Sequence, residues 1–508
     1  MLELIGNLPE QWHGGHSGHG DISWTGWRNG VEALVRGRQL HVTVMGASVA
    51  NGCGAGGLPL AQRCDRNATV GLGSVCTSAN SWPRWMQEGL ASELRLSETL
   101  NASLPRSPVI MTVHAKNAVG ALHFAHCVRS RVSNQTHIVL LDLAQTSSQG
   151  DMHTLFHAVR QSAPWVSIVA PVWVPMRQLG RSEAHSSNDE KALALGVDVV
   201  RVDLAAKALL SMEPGVAGPL IKMQCALYDD AVHPSPEGHR LYGDMMARYM
   251  ARKLLLAQAH PLQAAQSEHG SLTSPAQLPT PWEQCFPDAA QLPVLNEHNS
   301  SWRLVDEGAH KHVRKLTLLS DRPGEEVQIG PLGTDGVESC GDARATRHKA
   351  SPPPGLVRAP NGTTSTAVQV EIGYRISKSW SYGAFRIHCM PAPQLRAVID
   401  PHRGCHCSAD PSYWSWQLNP FPVIHTNAHL SRNPHYRDDR FNFTITASVS
   451  FPLFIWPANS QCIVQIRHLD SHSSEARGRA RGGRVAVSGR VGNKTSVRVD
   501  SLSVSCAL

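Results

Sequence analysis

Leu40-His-Val-Thr-Val-Met45 runs directly into Gly46-Ala47-Ser48-Val49 and then into Asn51-Gly-Cys-Gly-Ala-Gly-Gly57, and the reading of the fold turns on this stretch. A short, nearly continuous apolar run that stops at a glycine-rich turn predicts a strand covered on both faces, as in a parallel sheet. Val109-Ile-Met-Thr-Val113, His137-Ile-Val-Leu-Leu-Asp-Leu143, Val166-Ser-Ile-Val-Ala170 and Val197-Asp-Val-Val-Arg-Val202 have the same character. Helical patterns lie between them, from Trp82 to Leu94 and from Met152 to Arg160. A last helix is predicted from about Pro236 to Ala257, where Leu241, Met245 and Tyr249 recur every four residues beside Met246 and Met250. Ser235 is placed to cap it, with Pro236 at the first helical position. Strands alternating with helices make this half an α/β domain.

The chain is 508 residues long, more than one core usually organises, so two domains are expected. From Gln258 to Ser300 the text becomes rich in Pro, Ser, Gln and His without periodicity, which reads as a linker. Beyond it Val368, Val370, Ile372, Tyr374 and Ile376 alternate with Gln369, Glu371, Gly373 and Arg375. Phe441-Asn-Phe-Thr-Ile445 and Val497-Arg-Val499 repeat that period of two. Half-buried strands between turn-rich segments predict an antiparallel β-sandwich or barrel. Cys340, Cys389, Cys405, Cys407, Cys462 and Cys506 would brace it in a connectivity that spacing alone does not give. The expected layout is an α/β domain over 36–257, a linker over 258–300 and a β-domain over 301–508.

A net charge of +7 is mild for this length and calls for no nucleic-acid partner, and no run approaches the roughly 20 apolar residues of a membrane span. The 12 cysteines lack zinc-site spacings, so disulfides are the simpler account; this includes Cys53, Cys64 and Cys76 beside the first turn, where reactive thiols are the alternative. Acceptor sequons begin at Asn67, Asn101, Asn134, Asn299, Asn361, Asn442 and Asn493. Both signals point to the secretory lumen or the cell exterior. The first residues have neither the basic nor the apolar region of a signal peptide, and a missing upstream segment is expected. His13, His16 and His19 lie among glycines and read as a polar tail rather than a metal site; Arg477 to Arg484 reads as a solvated loop rather than an RNA-binding tract.

A serine on a tight turn at the carboxyl end of a first parallel strand is where such a sheet exposes a nucleophile. Downstream, Tyr228-Asp-Asp-Ala-Val-His233-Pro places Asp230 three residues before His233, just ahead of the last helix. An aspartate on one ring nitrogen orients an imidazole whose other nitrogen removes a serine proton. The alternative is a plain turn at the start of a helix, with His239 exposed on that helix.

With these residues in place the first half resembles the SGNH or GDSL-like hydrolases. Gly46-Ala-Ser48-Val resembles their nucleophile block, Asn117-Ala-Val-Gly120 their second block, and Asp230-Ala-Val-His233-Pro their fifth. The resemblance implies a three-layer α/β/α, flavodoxin-like domain, with Ser48, Asp230 and His233 as catalytic residues and the Gly120 N–H as an oxyanion donor. It implies an ester substrate, small or carried by a glycan or lipid, and neither cofactor nor metal. The third block departs from the pattern: Leu143-Ala-Gln-Thr-Ser-Ser-Gln149 has Thr146 where the family has an asparagine, with Gln145 one residue away. Losing one oxyanion donor costs about 2.7–4 kcal/mol, or roughly 10²–10³ in rate. The rival expectation is therefore an inactive, hydrolase-like binding module.

The stretch from Glu371 to Cys389 and the Cys405-His-Cys407 segment resemble the accessory β-domain that follows such hydrolases in some plant and algal proteins. Two roles stand open for it, covering the first domain or binding glycans through residues such as Trp414 and Trp416.

Overall fold

The computed structural model of the chain describes residues 24–57, 76–97, 104–117, 119–125, 127–147, 149–173, 192, 195–203, 227–230, 232–259, 283–295, 301–307, 316–332, 356–358, 364–376, 383–391, 404–407, 424–425, 445–456, 462–469 and 496–506. The chain divides into two compact units, Met1–Ala276 with Gly308–Val313 and Gln277–Glu307 with Arg314–Leu508.

In the first unit β1 (Leu40–Gly46), β2 (Val109–Ala115), β3 (Ile138–Asp142), β4 (Ser167–Pro171) and β5 (Val197–Val200) form a parallel sheet of order β2-β1-β3-β4-β5. This is the flavodoxin-like order, and strand addition changes direction at β1, so a crevice opens beyond the carboxyl ends of β1 and β3. The described helices that flank the sheet include α1 (Thr25–Val35), α2 (Trp82–Leu96), α3 (Ala121–Ala125), α4 (Val128–Arg131), α5 (Gln149–Ser162) and α6 (Pro236–Ala259). Helix α6 packs on α1 and α2, and α5 packs on α3 and α4, which makes an α/β/α stack. β3 and β4 are buried throughout, as their continuous apolarity predicts. β2 differs from expectation because among the described strands it lies at the edge beside β1, and Val113 is exposed.

Local sequence explains the two helices that frame the crevice. In α2, Pro83 occupies the first turn and Trp82, Met86, Leu90 and Leu94 form a buried stripe at four-residue spacing. In α6 the Ser235 hydroxyl accepts from the Gly238 N–H at 3.0 Å, the cap expected from sequence. The two helices press together where side chains are smallest: a Cβ on Gly243 would lie 2.4 Å from the Trp85 Cβ, and one on Gly89 would lie 3.0 Å from Ala247.

Helix α1 precedes the expected start at residue 36, yet Trp27 and Leu34 are part of the same core. Likewise Glu283–Phe286, within the stretch read as linker, is a strand of the second unit.

The second unit consists of antiparallel strands, β6 (Glu283–Phe286), β7 (Arg303–Asp306), β8 (Leu316–Ser320), β9 (Glu326–Leu332), β10 (Leu356–Arg358), β11 (Thr364–Ile376), β12 (Ala384–Pro391), β13 (Gly404–Cys407), β14 (Ile424–His425), β15 (Ile445–Trp456), β16 (Cys462–Leu469) and β17 (Val497–Cys506). One sheet runs β13-β15-β11-β17-β8-β7 with β6 and β10 at its side, and the other runs β14-β12-β16-β9. Val368, Val370 and Ile372 of the first share a core with Val327, Phe385, Val464 and Ile466 of the second, which makes a sandwich. The Cys389–Cys407 disulfide ties β12 to β13 across the sheets. The opposite face of β11 is not solvated as its alternation predicts: Glu371 and Arg375 are buried, and Arg375 Nε lies 2.5 Å from Asp500 Oδ2.

Candidate active site

The register of β1 places Gly46 opposite Ala115 of β2 and Asp142 of β3, so the loops after all three strands open at one rim. The chain leaves β1 through a compact turn in which the Asn51 N–H donates to the Ala47 carbonyl at 3.1 Å and the Cys53 N–H to the Ser48 carbonyl at 2.9 Å. Gly52 and Gly54 have φ of 76° and 92°, which glycine adopts without the Cβ penalty. Space matters as well. A Cβ on Gly54 would lie 2.0 Å from the Pro234 carbonyl oxygen, and one on Gly57 would lie 2.2 Å from Asp229 Oδ1. These glycines let the Ser48 turn lie flat against Asp229, His233 and Pro234. Cys53 is joined to Cys76, the disulfide account expected for this turn.

That contact brings the three distant residues together. Ser48 Oγ lies 2.9 Å from His233 Nε2, and Asp230 Oδ2 lies 2.7 Å from His233 Nδ1. The other Asp230 oxygen accepts the Val232 and His233 backbone N–H groups, each at 2.7 Å. Burial would push this carboxyl up, but the His233 hydrogen bond and charge and the two backbone donors outweigh it, and its pKa is pulled down to about 2. An ionised carboxylate only accepts, so Nδ1 carries the proton and the Nε2 lone pair faces the Ser48 hydroxyl.

The oxyanion candidates lie on the loops either side. Gly120 is buried against the loop after β3, where a Cβ would meet the Thr146 carbonyl at 3.0 Å, and the Ser147 hydroxyl accepts the Ala121 N–H at 2.7 Å. The Thr146 hydroxyl turns back to the Leu143 carbonyl at 3.4 Å. The Gln145 side-chain amide nitrogen is buried, with no hydrogen-bond partner among the described residues. Leaving such a donor unpaired costs about 1–3 kcal/mol, which a ligand oxygen would recover.

Two residues around the site escape sequence reasoning. Asp142, at the end of β3, is fully buried and accepts from Trp82 Nε1 at 2.9 Å and the Tyr242 hydroxyl at 3.1 Å; burial pushes its pKa up to about 7 against these two bonds. His239 is 0% exposed rather than on the surface of its helix, and sits between the Cys53 carbonyl at 3.0 Å and the Trp82 N–H at 3.2 Å. Its position seven residues before Met246, on one stripe with Met250, is the signal that places it inside. Among the described residues no group of His, Cys, Asp or Glu side chains is arranged to hold a metal, and no helix is long and apolar enough to cross a membrane. Residues 13–19, 414–416, 441–444 and 477–484, to which the sequence assigns a tail, sugar-stacking tryptophans, a strand and a loop, lie outside the described residues.

No protein-family model matches the sequence, and no curated protein matches it. Among solved structures the chain is similar to a two-domain esterase active on acetylated mannans, at 10% identity and a TM-score of 0.46 over 96% of this chain and 97% of that one. A second structure of a two-domain esterase active on acetylated mannans, co-crystallized with mannopentaose, gives 9% and 0.43 over 94% and 93%. A tail fiber protein from an E. coli phage gives 9% and 0.30 over 94% of this chain and 48% of its own.

Proposed function

We propose that the first unit is a serine ester hydrolase acting on O-acyl esters of glycans or lipids, with Ser48 as nucleophile, His233 as general base and Asp230 as its partner. The observation that carries this reading is the Ser48–His233–Asp230 chain, at 2.9 and 2.7 Å, on the rim where a doubly wound sheet binds ligands. His233 Nε2 takes the hydroxyl proton as Ser48 Oγ attacks the ester carbonyl, and Asp230 stabilises the imidazolium that results. The proton passes to the leaving alcohol, and water activated by the same imidazole releases the acid from the acyl-serine. Backbone N–H groups of Ser48 and Gly120 stabilise the oxyanion together with the third-block loop. There the unpartnered Gln145 amide supports Gln145, one residue from the family position, as donor in preference to Thr146, whose hydroxyl is engaged. This chemistry needs neither metal nor organic cofactor.

The Cys53–Cys76 and Cys389–Cys407 disulfides and the exposed sequon residue Asn134 support a secreted or lumenal setting. Hydrolysis of p-nitrophenyl acetate by the wild type, abolished in Ser48→Ala, together with labelling of Ser48 by a fluorophosphonate, is the expected result. Equal rates in both proteins with no labelling would leave the binding-module reading in its place.

A further inference from the structure

We propose that His239 is a positioning residue, which from the buried stripe of α6 holds the turn carrying Ser48 against the loop carrying His233. The proposal rests on Ser48 acting as nucleophile and adds a residue that the hydrolase reading does not require.

Both ring nitrogens have fixed roles. A backbone N–H donates to Nδ1 and a backbone carbonyl accepts from Nε2, so the neutral ring protonated on Nε2 is the form that satisfies both. The Cys53 carbonyl ends the turn whose own N–H groups close on Ala47, Val49 and Ser48. Such terminal carbonyls have no partner within their turn, and Cys53 is buried away from water. The Trp82 N–H is one of the unpaired donors at the start of α2. His239 thus satisfies both ends at once.

The geometry also couples it to the base. The Asp229 N–H donates to the His233 carbonyl at 2.9 Å, the Ser235 N–H to the Leu227 carbonyl at 2.9 Å, and the His239 N–H to the Ser235 carbonyl at 2.7 Å. The 227–235 loop and the first turn of α6 are therefore one hydrogen-bonded body that carries His233 and His239 together. His239 grips Cys53, whose N–H grips the Ser48 carbonyl. The Ser48–His233 separation is held from the helix side by His239 and from the loop side by the close fit of Gly54 under Pro234. A side chain at 239 that lacks either the acceptor or the donor would leave this second fit in place and loosen the first.

The full chain with His239→Asn, His239→Gln and His239→Leu tests this. Asparagine keeps an acceptor for Trp82 and loses the Cys53 bond, glutamine offers an acceptor and a donor at similar separation, and leucine offers neither. Fluorophosphonate labelling of Ser48, kcat and KM on p-nitrophenyl acetate, and backbone hydrogen exchange over 48–54 are measured below the unfolding temperature of each variant. A misplacement of the nucleophile on the order of 1 Å is expected to slow labelling and kcat of the asparagine and leucine variants about tenfold or more, with KM within about twofold. Exchange over 48–54 rises in both, and glutamine restores rate and protection to within about threefold. A purely stabilising side chain would lower the unfolding temperature and leave labelling and exchange at wild-type values in folded His239→Asn. That outcome overturns the proposal, and it is readable even if the leucine variant does not fold. If the wild type itself is neither labelled nor active, the hydrolase reading fails on its own account. Exchange over 48–54 in His239→Asn then decides whether this ring holds the turn.

Discussion

Gln145 and Thr146 stand side by side on one loop, and the two assignments of the oxyanion donor predict opposite variants. With the Thr146 hydroxyl bonded to Leu143 and the Gln145 amide unpartnered, Gln145→Leu is expected to lower kcat by roughly 10²-fold, and Thr146→Val by less than about threefold. Steady-state kinetics with an activated ester would read this, and the reverse order would return the role to Thr146. Asp142 and His239 carry a second prediction, because burial moves them in opposite directions. The Asp142 pKa is raised to about 7, so the folded protein keeps a proton that the unfolded chain has lost, and this contribution to stability disappears as pH rises from about 4 to 7. The His239 pKa is lowered to about 4, so its contribution is present above about 6.5 and is lost as pH falls to 4. Relative to wild type, Asp142→Asn should therefore gain stability across that window as pH rises, by up to about 4 kcal/mol, and His239→Gln should gain it as pH falls, by up to about 3 kcal/mol. Urea unfolding at pH 4, 5.5 and 7 gives both slopes, and parallel curves would mean that neither group titrates as its burial dictates. The approach of Ser48, Asp230 and His233 to one another was legible in the sequence, because the proposed chemistry fixes residue type and order. Asp142 was not, since what marks it is burial under Trp82 and Tyr242 from two distant helices, which no local pattern reports; His239 escaped although its spacing to Met246 and Met250 puts it on the buried stripe of α6, because its partners, the Cys53 carbonyl and the Trp82 N–H, are far away in sequence.

At the scale of elements, the parallel strands could be read because residues covered on both faces leave continuous apolar runs, whereas α1 could not. Its sequence contains Gly26 and Gly30, which weaken a helical pattern, yet these glycines are what the packing demands: a Cβ would lie 2.1 Å from the His137 carbonyl oxygen at the first and 2.6 Å from Leu40 Cδ1 at the second. Tertiary approach and local propensity conflict there, and approach wins. The Ser48 turn follows the same logic and gives a controlled test. Gly54 and Gly324 have φ of 92° and 90°, but a Cβ at Gly54 meets the Pro234 carbonyl oxygen at 2.0 Å while nothing lies within 4 Å of one at Gly324. Alanine at either position costs about 1–2 kcal/mol of backbone strain. Gly54→Ala alone should also displace the His233 loop, so Ser48 labelling is expected to fall at least tenfold there and to remain at wild-type rate in Gly324→Ala. Equal labelling in the two variants would show that the glycine serves φ and not the fit.

Among the described residues the two large cores draw on residues between Trp27 and Ala257 and on residues between Ala289 and Val504. Each of these cores is drawn, among the described residues, from a single unit, which leads us to expect that each unfolds as a cooperative body of its own. Ile372, buried at the centre of β11, is the place to test this, because its core neighbours among the described residues all belong to the second unit. Ile372→Ala is expected to cost about 2–5 kcal/mol in the second unit. By calorimetry it should lower one unfolding transition and leave a second in place, with Ser48 labelled at wild-type rate between the two. Gly54→Ala should show the complement, a lowered transition for the first unit and an unchanged one for the second. A single transition that moves in both variants would mean that the two cores unfold as one unit, and labelling that falls in proportion in Ile372→Ala would mean that the second unit supports the chemistry directly.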